Sequence, residues 1–271
     1  MTAVRRGDVS RDPTGDPAAL IREVLGRYDE RFLDSSDDLR RRMAAATRKV
    51  LDVWLTDEIR AQLSVGQRMR AFCVRHDLLD ELARLIRDEA AGRREGAVVV
   101  GSRVYAVYPY LRGVPRKDAD ITAEVGVDQR LDMVSWSGDA LLIRGRAAIE
   151  RVTARDEQVE IVLCEGTSGA QVRVEAEPDT AGQDGAGFAA SIPLAGLRPG
   201  HWYVHVSVRA LGVTRQAPLG AVKDAGLDPG PWERPAATAY FTTDGRLAVT
   251  VHGRRRRLAR TWWRRLTSPW R

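Results

Sequence analysis

The chain has 271 residues, 44% of them hydrophobic, and a formal net charge of +6. That length suits one or two domains with ordinary cores. The basic excess is local: eight arginines and no acid lie between Gly253 and Arg271, so the remainder is slightly acidic. By charge, the body of the chain is therefore excluded as a nucleic-acid-binding surface.

Only Lys49, Lys117 and Lys223 are lysines, which reads as a GC-rich coding bias in favour of arginine. Cys73 and Cys164 stand in different regions, with no paired spacing and no Cys/His cluster. Neither a metal site nor a disulfide framework is indicated, no cofactor is expected, and a reduced cytosolic setting fits. The first residues carry Arg5 and Arg6 without an apolar core behind them, unlike a secretory signal. No run reaches the roughly 18 apolar residues of a spanning helix.

Residues 1–15 read as a polar, disordered lead-in. Asp16-Pro17 then signals a helix start, an acid at the N-cap and proline in the first turn. Leu20, Ile21, Val24, Leu25, Tyr28 and Phe32 follow at helical spacing. A second helix is expected from Ser36-Asp37, with Leu39, Met43, Ala46, Val50, Val53 and Trp54 as its apolar stripe. Thr56 caps a short third helix, Ser64 a fourth through Cys73, and a fifth begins near Asp77 or Leu78 and ends near Gly92.

From Ala97 the period changes to two. AVVVG, RVYAVYPY and ITAEVGV (121–127) read as short strands, with the charged KDAD segment as a break. Beyond them, Leu141, Ile143, Gly145, Ala147 and Ile149 share one face of a strand. Val159, Ile161 and Leu163, then Val172 and Val174, then Phe188, Ala190 and Ile192 repeat the alternation. Trp202, Val204, Val206 and Val208 line the longest strand, and His201, Tyr203, His205, Ser207 and Arg209 its opposite face. Gly166-Thr167-Ser168-Gly169 and Asp244-Gly245 read as hairpin turns.

Chemistry-bearing motifs are sparse. Asp118-Ala119-Asp120 matches the D-x-D with which many nucleotide-sugar transferases hold a divalent cation. No βα units precede it, and a polar turn explains it better. His201 and His205 lie roughly 13 Å apart on a strand, too far to share a metal ion. With Tyr203 between them and Arg209 beyond, they form a polar-aromatic strip suited to a polymer or carbohydrate, or else a plain solvent face. No nucleophile elbow, P-loop or dinucleotide fingerprint occurs.

The tail returns to helical spacing. Leu258, Trp262 and Leu266 fall four apart, Trp263 stands beside them, and Arg254, Arg255, Arg256 and Arg257 lead the segment. This is the pattern of a basic amphipathic helix at a membrane surface. A phosphate-rich polymer would use the same charge, nucleic acid is not expected, and a solvated end is the alternative.

Two segments together resemble a known family. DVWLTDEIRAQLSVGQRMRAFCVRHDLLDELARLI (52–86) is similar to the linker that follows the catalytic domain in bacterial family 2 glycosyltransferases of the wall teichoic acid kind. Residues 134–220, with the W-x-G-D-x-L piece at Trp136–Leu141 and the L-R-P-G-x-W piece at Leu197–Trp202, resemble the β-sandwich of polyol-phosphate glycosyltransferases and glycerophosphotransferases. The resemblance covers about 16–252. It implies accessory regions that support oligomerisation or hold acceptor polymer, with a metal-binding catalytic domain ahead of them. Only about fifteen residues precede the linker here, so no catalytic residue is carried over.

The expected fold is α+β: a helical linker-type bundle over 16–95, a β connector over 96–128, an immunoglobulin-like antiparallel β-sandwich over 129–252 and the basic amphipathic helix over 253–271. The expected function is a non-catalytic module, oligomerising or polymer-binding, associated with a cell-envelope glycosyltransferase at the cytoplasmic membrane face. The expected partners are a glycosyltransferase catalytic chain, an anionic lipid or phosphate-rich wall polymer, and further copies of the chain. The alternatives are part of a transferase whose catalysis comes from another chain or from an unrecognised site, such as one around Asp118 and Asp120, and a membrane-peripheral envelope structural protein.

Overall fold

The structure, a computed structural model, describes residues 16–93, 96–154, 156–179 and 187–253. The tail residues Arg254 to Arg257, Leu258, Trp262, Trp263 and Leu266, and with them the expected C-terminal helix, lie outside the described residues. The chain divides into two compact units. The first comprises residues up to 127 together with 149–157 and 209–215, and the second the remainder.

In the first unit the helices begin where side chains can satisfy the free N–H groups of an opening turn. Asp16 caps α1 (Pro17–Gly26), Asp29 caps α2 (Glu30–Leu33), Ser36 caps α3 (Asp37–Trp54) and Thr56 caps α4 (Asp57–Arg60). Ser64 and Gln67 form a reciprocal capping box on α5 (Val65–His76), which ends at Asp77 in a left-handed conformation. α6 (Leu79–Ala90) follows at once. α5 packs against α1, α3 and α6, and so buries Met69, Ala71, Phe72, Cys73 and Val74. Ile21, Leu25, Tyr28, Phe32, Leu82, Leu85 and Ile86 complete this core.

The inward stripe of α3 differs from the expected one. α3 packs against α1 and α5, and its buried positions are Ala44, Thr47 and Leu51, while Leu39 and Val53 are exposed.

The unit continues with a two-stranded hairpin, β1 (Ala97–Val100) and β2 (Arg103–Ala106). Its turn places Gly101 and Ser102 at φ 56° and 62°. The charged KDAD segment is a helical turn, α7 (Arg116–Ala119), packed on α5 and β2. Residues 121–126 are turn and coil rather than the expected strand. The Asp120 carboxylate accepts the Thr122 N–H at 2.9 Å, and the Glu124 N–H returns to the Ile121 carbonyl at 2.8 Å, which bends the chain locally. Within 209–215, Gly212 has φ 79°, and a Cβ there would lie 2.8 Å from the Ser102 hydroxyl, so the close approach needs glycine.

The second unit is a pair of antiparallel sheets. Its elements are β3 (Val127–Ser137), β4 (Ala140–Ile149), β5 (Gln158–Glu165), β6 (Gln171–Glu175), β7 (Glu177–Pro178), β8 (Gly187–Pro193), β9 (Gly200–Ala210), β10 (Val213–Pro218), β11 (Trp232–Glu233), β12 (Ala237–Phe241) and β13 (Leu247–Val251). A few of their terminal residues belong to the first unit. One sheet runs β3-β4-β8-β7 and the other β11-β12-β13-β9-β5-β6, with β10 also paired to β9. Lettered A to G with β6 as C′, strands β3 to β10 give the orders ABED and C′CFG of an immunoglobulin-like sandwich.

The expected alternation is the one found. Leu141, Ile143, Ala147, Phe188 and Ile192 are buried from one sheet, and Ile161, Leu163, Trp202, Val204 and Val206 from the other. Gly145 is the tightest point: a Cβ there would sit 2.4 Å from the Arg130 carbonyl and 3.2 Å from the Phe188 ring. Both expected turns join strands, Gly166–Gly169 between β5 and β6, and Asp244-Gly245 between β12 and β13. No described helix is long and apolar enough to cross a membrane.

Candidate functional site

The D-x-D pair lies in the helical unit, where both carboxylates are engaged by arginine. Asp118, on α7, is 3% exposed and ion-paired with Arg60. Asp120 pairs with Arg103 at 2.7 Å and accepts the Thr122 N–H on its other oxygen. Burial pushes the Asp120 carboxyl up, but the hydrogen bonds from Thr122 and Arg103 outweigh it and hold the group below its usual range. The same contact raises the Arg103 guanidinium. Both Asp120 oxygens thus accept from internal donors, and one Asp118 oxygen is paired with Arg60. Among the described residues no cluster of His, Cys, Asp and Glu has the arrangement of a metal site.

Around the pair lies a cleft of about 1230 Å³. Its cationic lining is Arg60, Arg68, Arg103, Lys117 and Arg215, and its acidic lining Asp57, Asp120 and Glu124. Arg68, only 6% exposed, is the anchor of its wall. Its guanidinium donates to the carbonyls of Leu63 at 2.5 Å, Asp118 at 2.8 Å and Asp120 at 2.5 Å, and to the Glu124 carboxylate at 2.8 Å. Arg215 donates to the carbonyls of Thr122, Val125 (3.0 Å) and Thr214 (2.7 Å). Arg215 thus takes up the Thr122 and Val125 carbonyls that a strand partner would otherwise have satisfied, while Arg68 takes those of Asp118 and Asp120 just before them. At the rim, Lys117 holds Asp57 at 2.8 Å, which with Arg60 keeps the Asp57 carboxyl below its usual range.

The second region is the outer face of the sheet built on β9. His201 is opposite Thr250 and Tyr203 opposite Ala248, and on the next strand Thr238 is opposite Thr250 and Tyr240 opposite Ala248. The His201 Nδ1 lies 3.0 Å from the Thr250 hydroxyl and 3.3 Å from the Tyr240 hydroxyl. His201 and Tyr203 are exposed, and His205 is half-buried, its imidazolium disfavoured chiefly by burial. Ser207 is buried, so the strip is open over His201 and Tyr203 and closes beyond His205. Arg209 is exposed and belongs to the helical unit. Tyr240 and Thr250, which complete the face, escaped the sequence reading because cross-strand register is not visible in a single strand's alternation.

Cys73 and Cys164 are unsuited to nucleophilic work. Burial and then Glu81 push the Cys73 thiol up to about 12, and burial raises that of Cys164.

The fold has a counterpart among solved structures. The chain superposes on the crystal structure of S. aureus TarS 217–571 with a TM-score of 0.52 at 10% identity, covering 86% of this chain and 69% of that one. Against the crystal structure of S. aureus TarS the TM-score is 0.42 at 10% identity, and this chain spans 37% of that one while 77% of it is covered. No curated protein sequence matches the chain. Residues 18–86 match the family model described as the glycosyl transferase TarS linker domain. Residues 18–86, within α1 to α6, thus resemble the TarS linker domain, in a chain whose fold is similar to that of the 217–571 region of TarS.

Proposed function

We propose that this chain is a non-catalytic accessory module that works with a cell-envelope glycosyltransferase of the teichoic acid kind, either by assembling its subunits or by holding its acceptor polymer. The observation that carries the reading is the pairing of a TarS-type linker at 18–86 with a D-x-D whose carboxylates are committed to Arg60 and Arg103. Catalysis is then supplied elsewhere, in a partner chain or in a longer polypeptide. The face formed by His201, Tyr203 and His205, with Arg209 further along β9, is the candidate polymer contact, since an aromatic ring between hydrogen-bonding groups suits a polyol or sugar. The basic tail is the candidate contact to anionic lipid at the inner membrane face.

The decisive experiment supplies the purified chain with nucleotide sugars, Mg²⁺ or Mn²⁺ and a polyol-phosphate acceptor. The expected result is no sugar transfer by the chain alone, and transfer only when a catalytic chain is added. Transfer by the chain unaided overturns the accessory reading. Light scattering on the same preparation is expected to show a homo-oligomer.

A further inference from the structure

The cleft in the helical unit has an imbalance between donors and acceptors. Its carboxylates are largely spent. Both Asp120 oxygens and both Glu124 oxygens accept internal hydrogen bonds, from Thr122 and Arg103 and from Arg68 and the Val65 N–H. Asp57 shares one oxygen between Lys117 and Arg60.

The cations keep capacity in reserve. Arg103 gives Asp120 a single contact through Nη1, and its side chain is 65% exposed. A guanidinium carries five N–H donors in a fixed fork, so most of that fork faces the cleft mouth or solvent. Lys117 commits one contact to Asp57 and is 55% exposed. Arg215 meets its partners through carbonyls, and among the described residues no carboxylate neutralises it. Ser102 lines the same rim and is held with φ 62°, a conformation uncommon outside glycine, asparagine and aspartate. Spare N–H donors, surplus positive charge and a hydroxyl at one concave mouth match an oxyanion bearing several acceptors.

We infer that this cleft binds phosphodiester groups, with Arg103 and Lys117 as the contacting cations and Arg215 supplying uncompensated charge behind them. The choice of polyol-phosphate polymer as the source of those groups rests on the accessory reading above. A cleft of about 1230 Å³ accommodates more than one phosphate unit of an extended chain. It makes the helical unit a holder of the acceptor in its own right, separate from the β9 face.

The test measures binding of a glycerol-phosphate oligomer to the full chain by calorimetry, beside inorganic phosphate and phosphatidylglycerol vesicles. Arg103→Gln with Lys117→Gln is expected to weaken oligomer binding roughly tenfold and to flatten its salt dependence. The unfolding midpoint should fall only slightly, because both side chains are mostly exposed and Asp120 keeps its hydrogen bond from the Thr122 N–H. Arg103→Lys with Lys117→Arg is expected to retain most of the binding. Inorganic phosphate should bind much more weakly than the oligomer, and vesicle binding should not respond to the Gln pair. The basic run at Arg254–Arg257 is present in every variant, so its contribution cancels. Oligomer binding unchanged by the Gln pair overturns the inference, as does a loss confined to vesicles. Either failure leaves the transfer assay untouched, so the two readings fail separately.

Discussion

The two units bury polar groups in opposite ways. In the sandwich, alternation carries the charged side chains outward and leaves an interior that is apolar apart from a few uncharged groups such as Gln129 and Ser207. In the helical unit, a guanidinium and a carboxylate, Arg68 and Asp118, are themselves part of the interior. The first kind of core is held by many small, non-directional contributions. The second depends on a few hydrogen-bonded charges, each of which leaves others bare when removed. A single substitution should therefore cost the helical unit more than a comparable one costs the sandwich.

The sharpest way to break that comparison is Arg68→Met. It keeps the stem's bulk but deprives the carbonyls of Leu63, Asp118 and Asp120 and the Glu124 carboxylate of their donor. A loss of about 3–5 kcal/mol is expected, the cost of removing one partner from a buried charged network. Urea unfolding followed by fluorescence reads it. A loss under about 1 kcal/mol would mean that water replaces the guanidinium freely.

A smaller effect is expected in the sandwich from Gly145→Ala, whose methyl meets the Arg130 carbonyl and the Phe188 ring. Overpacking of this sort costs about 1–3 kcal/mol. If the measured order of these two losses is reversed, the contrast between the units does not hold.

The smallest effect is at the β5–β6 turn. The hydroxyl and N–H of Ser168, and then the N–H of Thr167, hold the Glu165 carboxyl down at about 2. Because the folded value is depressed, the stabilisation is fully present above the ordinary carboxylate pKa and is lost as pH falls from there toward about 2. Glu165 is exposed enough that the change is local. NMR shifts of Ser168 should titrate in that window in the wild type and not in Glu165→Gln.

The same contrast explains what was legible in the sequence. Caps are local, so Asp16, Ser36, Thr56 and Ser64 announced four helix starts. Alternation is local too, and it found the sandwich strands and the His201–Tyr203 face. The cleft was not legible. Asp118 meets Arg60 and Asp120 meets Arg103 across 58 and 17 positions, and Arg215 reaches Thr122 across 93. Nothing in the pattern ITAEVGV says that its Thr122 and Val125 carbonyls will be claimed by Arg215, and so a strand was expected where a turn is found. The outward Leu39 and Val53 belong to the same class, since which side of α3 faces inward is set by the helices it packs on, α1 and α5.

The grip of Arg215 on Thr122 and Val125 bears on the order in which the protein can be made. When the first 127 residues have left the ribosome, the linker helices are present but the arginine that clasps residues 122–125 has not been synthesised. Most of the sandwich must be translated before it arrives. Completion of the helical unit is thereby timed to the sandwich, and a nascent chain that stalls before residue 215 leaves the Thr122 and Val125 carbonyls without that donor.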